Sequence, residues 1–206
     1  PERVEQHRRI VLRRRYWLYY GLTFLSGARR QIFMVFAGFL LVEKFGYRVE
    51  QIALLLLVNG ALNVVLAPRI GRLIARWGER PALLLEYLGL IGVFVAYAFV
   101  ESGAVAATLY VVDHLFFALA IAIKTYFQKI ADPRDIASTA AVGFTINHIA
   151  AVVIPAVFGL VWLVSPSAVF LAGAGLAAAS AVLAAMVPSR PVPGRETTFT
   201  PATESA

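Results

Sequence analysis

Six long apolar runs limit what this chain can fold into. They lie at roughly 16–42, 49–67, 81–100, 104–123, 136–163 and 168–187, with short polar segments between them. An α-helix of about 20 residues crosses the ~30 Å hydrocarbon layer of a membrane. A soluble helical bundle would need a polar stripe along every helix, and the second, third and sixth runs have almost none. The sequence therefore predicts an all-α integral membrane protein with six transmembrane helices.

The composition agrees with this fold class and excludes several functions. The chain is 60% hydrophobic and 15% charged, whereas soluble domains are about 45–50% apolar and about 25% charged. Without cysteine, disulfides, thiol catalysis and cysteine-based metal sites are excluded. The net charge of +7 comes from short segments between the runs, which favours anionic lipid headgroups over nucleic acid as the partner.

The distribution of basic residues predicts the orientation. Fifteen arginines and lysines lie on one side of the six runs, and two, Lys44 and Arg48, lie on the other. By the positive-inside rule, both termini are cytoplasmic, and we expect a bacterial-type inner or plasma membrane. The chain then divides into a basic cytoplasmic lead-in (1–15), a six-helix membrane domain (16–187) and a Pro/Thr-rich tail (188–206) expected to be disordered. Because the first residue is Pro1 rather than Met, we expect a piece of a longer chain.

Helix-boundary signals separate the runs. Pro81 suits the first turn of the third helix, where its missing N–H costs little. Asp135 is expected to cap the fifth helix, and the segment Ser165-Pro166-Ser167 is expected to start the sixth in a similar way.

Two adjacent arginines, Arg29 and Arg30, lie deep in the first run. A central arginine costs about 2.5–3.5 kcal/mol on insertion scales, so it should face water or a charged partner. Helical neighbours point about 100° apart, so one arginine can line a cavity while the other pairs with another helix. Ser26–Gly27 is a candidate interruption of the helix at this depth, of the kind transporters have at their sites. The alternatives without a transport role are a buried structural ion pair or a short interfacial loop. The charge bias favours a single span.

A counter-charge is available in the fourth run, where Asp113 and His114 lie about halfway along. A carboxylate that moves between an arginine and an apolar site changes its protonation readily, and imidazole titrates near neutrality. This pair is therefore a candidate for proton coupling. The alternative is a permanent Arg–Asp pair that joins two helices.

Other polar residues lie at similar depth. In the fifth run, Asn147 and His148 are central, and in the second, Asn59 and Asn63 are four residues apart on one helical face. They are candidates to line a substrate path, although hydrogen bonds between helices would explain them equally well. Glu86 is expected to pair with an arginine on the cytoplasmic side. We expect Lys124, near the cytoplasmic end of the fourth run, to extend towards the membrane surface.

Catalytic and metal sites receive little support. Asp113, His114 and His148 could in principle bind a metal. No HExxH, GxSxG, paired-aspartate or glycine-rich phosphate motif is present. We therefore expect no enzymatic activity, no metal and no cofactor.

The segment "GRLIARWGER" lies between the second and third runs, on the predicted cytoplasmic side. Gly71 would let helices approach closely, Gly78 would supply a left-handed turn, and Arg72, Arg76 and Arg80 would hold the loop at an anionic surface. This segment resembles the loop signature of the major facilitator superfamily, Gly-x-Leu-x-Asp-Arg-x-Gly-Arg-Arg/Lys. Ala75 stands where that signature has its acidic residue, so the charge relay ascribed to the loop does not carry over.

This resemblance implies a fold and a function. Transporters of this superfamily have two six-helix halves, each built from inverted three-helix repeats. The basic lead-in, the six runs, the degenerate loop and the polar tail resemble a C-terminal half, helices seven to twelve. The first helix of each repeat lines the cavity in that family, and these helices correspond to the runs that carry Arg29, Arg30 and Asp113. A half-size protein that dimerises is the alternative.

The predicted function is half of a secondary active transporter, a proton-coupled permease that moves a small solute by alternating access. Its partners would be an N-terminal half of the same transporter, membrane lipids and a small-molecule substrate, and no nucleic acid. The alternative is a non-transporting six-helix module with a sensory, scaffold or lipid-handling role. Convergence of residues 29/30, 113/114 and 147/148 on one polar cavity would favour transport.

Overall fold

Residues 12–199 are described by the computed structural model, and they form a helical bundle without β-strands. Six helical segments are long and apolar enough to cross a membrane, which confirms the predicted fold class. We call them spans one to six: Arg14–Glu43, Val49–Trp77, Glu79–Ala98, Gly103–Ile130, Pro133–Val164 and Pro166–Ala185.

Span one is irregular, but not where the sequence suggested. After a 3₁₀ turn at Arg14–Tyr16 it consists of helix α1 (Trp17–Ile32), a π-helical segment (Phe33–Ala37) and helix α2 (Gly38–Glu43). Helix α1 runs without a break through Ser26 and Gly27, so the interruption considered at these residues is absent. The structure explains the glycine at position 27 differently. A Cβ atom there would lie 2.5 Å from Oδ1 of Asn147 on span five. The glycine permits close approach of two helices rather than a bend.

The remaining helices are α3 (Val49–Trp77), α4 (Glu79–Ala98), α5 (Gly103–Phe117), α6 (Ile121–Ile130), α7 (Ile136–Val164) and α8 (Pro166–Ala185). A 3₁₀ turn, Ala118–Ala120, joins α5 to α6 within span four, and another, Pro133–Asp135, leads into α7. The ends of the spans agree with the sequence prediction to within a turn or two at most boundaries. The larger difference is in span two, which continues to Trp77 through Pro68.

Spans three and six pack against each other most extensively, and span one packs against spans five and six. Between spans three and six, the rings of Tyr97 and Phe170 have their centres 5.1 Å apart. Phe33 of span one lies edge-on to Phe94 and to Tyr97 of span three. Span two contributes only Asn59 and Ile74 to the buried residues. It therefore lies at the periphery, with an apolar surface along its middle and exposed arginines near its C-terminal end.

The predicted loop motif belongs mostly to a helix. Gly71, Arg72 and Arg76 lie within α3, and only Gly78 departs from it, with a φ of +90°. The left-handed turn expected at Gly78 is thus confirmed. Among residues 12–199, no atom lies within 4 Å of a Cβ built at Gly71. The prediction that another helix approaches closely at Gly71 is therefore wrong within this part of the chain. We call the end of the bundle that carries Gly78 the motif end.

Asp135 lies at the start of α7, but its side chain does not cap the helix. Its Oδ2 atom is instead 2.7 Å from Nε of Arg13 and accepts hydrogen bonds from Arg15 and Tyr16, at 2.9 and 3.0 Å. The carboxylate thereby ties the beginning of span one to the beginning of span five. Ser165 does cap span six, since its Oγ accepts a hydrogen bond from the backbone N–H of Ala168 at 3.3 Å.

The tail was predicted to be disordered, and over residues 188–199 the structure differs. The Thr198 N–H donates to the Met186 carbonyl at 2.9 Å, and the Tyr126 hydroxyl donates to the Glu196 carbonyl. Glu196 and Thr197 are buried. The polar composition suggested disorder because few apolar side chains are present, but hydrogen bonds that join the tail's backbone to Met186 and to the Tyr126 hydroxyl hold this segment. Residues 1–11 and 200–206 lie outside the described residues, and with them most of the lead-in and the end of the tail.

Gly173 offers a test of packing between spans three and six. A Cβ atom there would lie 2.5 Å from Cε1 of Phe94, whose ring is buried and cannot swing aside. We expect Gly173→Ala to reduce the free energy of unfolding by about 1–3 kcal/mol. Gly175→Ala is the matched control on the same helix, because no atom of residues 12–199 lies within 4 Å of its Cβ position. It should be neutral or stabilising by about 0.5–1 kcal/mol. Denaturant unfolding in detergent, followed by circular dichroism, measures both; equal effects would contradict the packing described.

Candidate functional site

An open cavity of about 750 Å³ lies between spans one, two, four and five. Five of the eight residues predicted to bind substrate or couple ions line it: Arg30, Asn63, His114, Asn147 and His148. These residues come from four different helices. Because most of these residues are far apart in the sequence, it is the packing of the four helices that brings them to one cavity.

The two adjacent arginines are separated by the geometry of α1. Arg30 is exposed to the cavity, and its guanidinium carbon lies 4.8 Å from the centre of the Phe117 ring on span four. Arg29 is only 1% exposed and points into the bundle. Of the two, Arg30 is therefore the arginine that a solute in the cavity would meet.

Arg29 is part of a buried ion pair with span three. Its Nη2 atom lies 3.5 Å from Oε1 of Glu86, and its guanidinium group lies 4.4 Å from the centre of the Tyr87 ring. Its Nε atom donates to the Leu25 carbonyl at 3.3 Å. Glu86 was predicted to pair with an arginine near the cytoplasmic side, but its partner is Arg29, deep in span one. Asp113 was the predicted counter-charge for Arg29 or Arg30, and neither is its direct ion-pair partner within residues 12–199. The Arg29–Glu86 pair matches the alternative of a buried structural ion pair.

Asp113 lies behind the cavity wall rather than in it. It is 5% exposed, and its Oδ2 atom is 3.8 Å from Nδ1 of His114, which does line the cavity. Asp113 is also within electrostatic range of Arg29 and Arg30. The carboxylate thus lies between the buried ion pair and the cavity, with no direct arginine contact within 4 Å among the described residues.

Both cavity histidines use the same hydrogen-bond arrangement. Nδ1 of His114 lies 3.0 Å from the Tyr110 carbonyl, and Nδ1 of His148 lies 2.9 Å from the Phe144 carbonyl. A carbonyl oxygen can only accept, so Nδ1 carries a hydrogen in each ring. The other nitrogen, Nε2, then accepts a hydrogen bond when the ring is neutral and donates one when it is protonated. His148 was considered as a bridge between helices, but its hydrogen bond is to its own helix.

The two asparagines of span two are not equivalent. Asn63 lines the cavity, whereas Asn59 is 5% exposed and its amide has no hydrogen-bond partner within residues 12–199. Asn59 is thus placed apart from the cavity by the structure, although the i, i+4 spacing predicted a shared face.

Some cavity residues were missed from the sequence. Lys124 was expected to extend towards the membrane surface, but it lines the cavity, as do Tyr19, Thr23 and Gln31. Tyr19, Thr23 and Arg30 recur at intervals of four and seven residues along α1, so a single helical face carries them. This periodicity in span one was the signal that could have identified Tyr19 and Thr23.

A metal centre has no obvious ligand set in the described part of the chain. Within residues 12–199, no three histidine, aspartate or glutamate side chains lie close enough together to hold a metal ion.

The comparisons with known proteins identify the family. The model of the Major Facilitator Superfamily matches residues 19–204, nearly the whole chain. No curated protein and no solved structure matches the chain. With six apolar spans and a family match over this length, the chain is an integral membrane protein of a transporter family. It belongs to the Major Facilitator Superfamily.

Proposed function

We propose that this chain is one half of a secondary active transporter that moves a small solute across the membrane by alternating access. The observation that carries the proposal is the cavity, where Arg30, Asn63, His114, Asn147 and His148 converge from four spans. Deep polar side chains are expensive in a membrane protein and usually mark a solute or ion path.

The open side of the cavity supports the proposed partner. An N-terminal half of the same transporter would cover this side and supply the second wall, as the two halves of such transporters do. Helices seven to twelve are the proposed placement of the six spans. The exposed Arg72 and Arg76 of span two support a motif end that faces the cytoplasm, with both termini on that side, and the proposed location is a bacterial-type plasma membrane.

Proton coupling is proposed to reside in Asp113 and His114. Asp113 is buried behind the cavity wall, and its Oδ2 atom lies 3.8 Å from Nδ1 of His114, which lines the cavity. Protonation of either group changes the electrostatic field at Arg30, which lies on the same wall. Arg29, which is paired with Glu86, is assigned to holding spans one and three together.

Transport assays with Asp113→Asn test this function. A panel of radiolabelled sugars, amino acids and organic anions is offered to vesicles that contain the chain with its proposed N-terminal half, with and without an imposed pH gradient. We expect at least one solute to accumulate in response to the gradient. Asp113→Asn should retain solute exchange but lose at least about tenfold of the gradient-driven accumulation, as a general acid–base group typically contributes 10²–10⁴-fold.

Glu101→Gln is the matched control, because Glu101 is an exposed carboxylate between spans three and four. It should leave accumulation unchanged. Unaltered pH dependence in Asp113→Asn would remove proton coupling from this residue. Absence of transport for every solute would favour the non-transporting membrane module.

A further inference from the structure

Among residues 12–199, the cavity wall carries two cations and no carboxylate. Arg30 and Lys124 both line the cavity, and all its other lining residues are uncharged or histidine. Neither cation forms an ion pair or a side-chain hydrogen bond within residues 12–199. Arg30 lies deep in span one, where an unpaired positive charge is costly, so an anionic binding partner would remove an energetic penalty.

The buried charges behind the wall do not cancel these cations. When ionised, Arg29, Glu86 and Asp113 together carry one net negative charge. Arg30 and Lys124 add two positive charges, so one net positive charge remains. Of the titratable groups on the wall, His114 and His148 can only add positive charge, and Tyr19 is a neutral phenol. The cavity therefore attracts anions at every protonation state of its histidines.

The rest of the wall adds apolar surface and hydrogen-bonding groups. Phe117, Ala118 and Ile121 of span four form an apolar side, while Asn63 and Asn147 supply amides. The guanidinium carbon of Arg30 lies 4.8 Å from the centre of the Phe117 ring, a cation–π contact that uses none of the side chain's N–H groups as hydrogen-bond donors to an oxygen. A guanidinium group can bind an oxyanion with two N–H groups. A volume of about 750 Å³ is in the range that encloses a small organic molecule.

We propose that the cavity binds a small organic anion, with its carboxylate or similar oxyanion held by Arg30 and Lys124 and its apolar body against span four. As a statement about the transported substrate, this inference rests on the proposed function. As a statement about binding, it can be tested without transport.

Binding is tested with three probes that share one apolar body: phenylacetate, phenylacetamide and phenethylammonium. The full chain is placed in nanodiscs of zwitterionic phosphatidylcholine, and affinity is measured by isothermal titration calorimetry. We expect phenylacetate to bind at least about tenfold more tightly than the amide, and the ammonium to bind most weakly. Equal affinities, tightest binding of the ammonium, or no binding of any probe would overturn the proposal.

Charge-removing variants locate the site. Arg30→Gln and Lys124→Gln should each weaken phenylacetate binding about tenfold, and the double variant should abolish the preference over phenylacetamide. Arg190→Gln removes an equal charge from an exposed residue outside the spans and should change nothing. If Arg190→Gln weakens binding as much as Arg30→Gln, the attraction is a general effect of net charge and the proposal fails.

An anionic lipid headgroup offers the same chemistry as a soluble organic anion, so the lipid composition is varied. Phosphatidylglycerol added to the nanodiscs should weaken phenylacetate binding only slightly. Complete loss of phenylacetate binding would assign the cavity to a lipid headgroup instead and overturn the substrate class.

A second measurement does not depend on ligand affinity. The chain has no cysteine, so Ala151→Cys places a single thiol on the cavity wall. We expect a negatively charged methanethiosulfonate reagent to modify it roughly tenfold faster than a positively charged one at low ionic strength, relative to a free thiol. Arg30→Gln and Lys124→Gln should each reduce this ratio. A ratio near one would contradict a cationic cavity.

Failure of the two proposals can be told apart. Anion binding without transport of any solute would reject the transporter and retain the anion site. Gradient-driven transport of a sugar or a cation, with no phenylacetate preference, would retain the transporter and reject the anion site.

Discussion

Replacing Glu86 with leucine should destabilise the chain by about 3–5 kcal/mol, because it leaves the Arg29 guanidinium buried without its counter-charge. The Glu86 side chain is 0% exposed and that of Arg29 is 1% exposed, so water cannot replace the missing partner. Arg29→Met should have a similar effect, since it leaves the Glu86 carboxylate isolated. Denaturant unfolding in detergent measures each free energy of unfolding.

The double variant Arg29→Met/Glu86→Leu should recover most of this loss, because well-packed apolar side chains often replace a buried ion pair without net cost. Arg48 and Glu50 provide a matched control: they also form an ion pair, at 3.2 Å, but their side chains are 77% and 71% exposed. Their coupling energy should be about 0–1 kcal/mol. A double variant of Arg29 and Glu86 as unstable as the sum of its single variants would contradict a direct pair.

A leucine in place of Gly27 should both weaken the fold and close the cavity. A Cβ atom at Gly27 would already lie 2.5 Å from the Asn147 amide oxygen, so a larger side chain forces spans one and five apart or displaces Asn147. We expect a loss of about 1–3 kcal/mol in the free energy of unfolding. Because Gly27 and Asn147 both line the cavity, we also expect modification of the Ala151→Cys thiol to slow by at least tenfold.

Gly38→Leu is the control within the same span, because no atom lies within 4 Å of its Cβ position. It should change the free energy of unfolding by less than about 1 kcal/mol. The reaction rate of the Ala151→Cys thiol should stay the same. Asn147→Ala should relieve the contact in a Gly27→Ala background and restore its stability. Equal responses at Gly27 and Gly38 would show that spans one and five do not meet closely at this point.

The spans could be predicted because their signal is local. Length and apolar character are properties of consecutive residues, and Gly78 and Ser165 mark boundaries through their own backbone or side-chain chemistry. Gly71 was misread for the same reason: the motif suggested a close helix approach, but whether a neighbour is present depends on packing of the periphery. Span two has few neighbours there.

The site could be predicted as a set of residues but not as a set of contacts. Deep polar residues are recognisable one by one, and five of them line one cavity. The partner of Arg29 was not predictable, because Glu86 and Asp113 are both carboxylates at suitable depth, and only the packing of spans one and three selects Glu86. Lys124 was assigned to the membrane surface because it lies towards the end of span four. The structure shows that the cavity wall extends along span four from His114 as far as Lys124, and the sequence alone does not reveal which part of a helix borders a cavity.

Alternating access is tested most directly by the accessibility of the cavity from both sides of the membrane. The Ala151→Cys thiol would be treated with a membrane-impermeant maleimide, in right-side-out and in inside-out vesicles that contain the chain with its proposed N-terminal half. Glu101→Cys and Arg190→Cys, in exposed segments at opposite ends of the bundle, should each react from one side only. A transporter half predicts that the Ala151→Cys thiol reacts from both sides. Reaction from one side only, at every pH and with every solute tested, would contradict it.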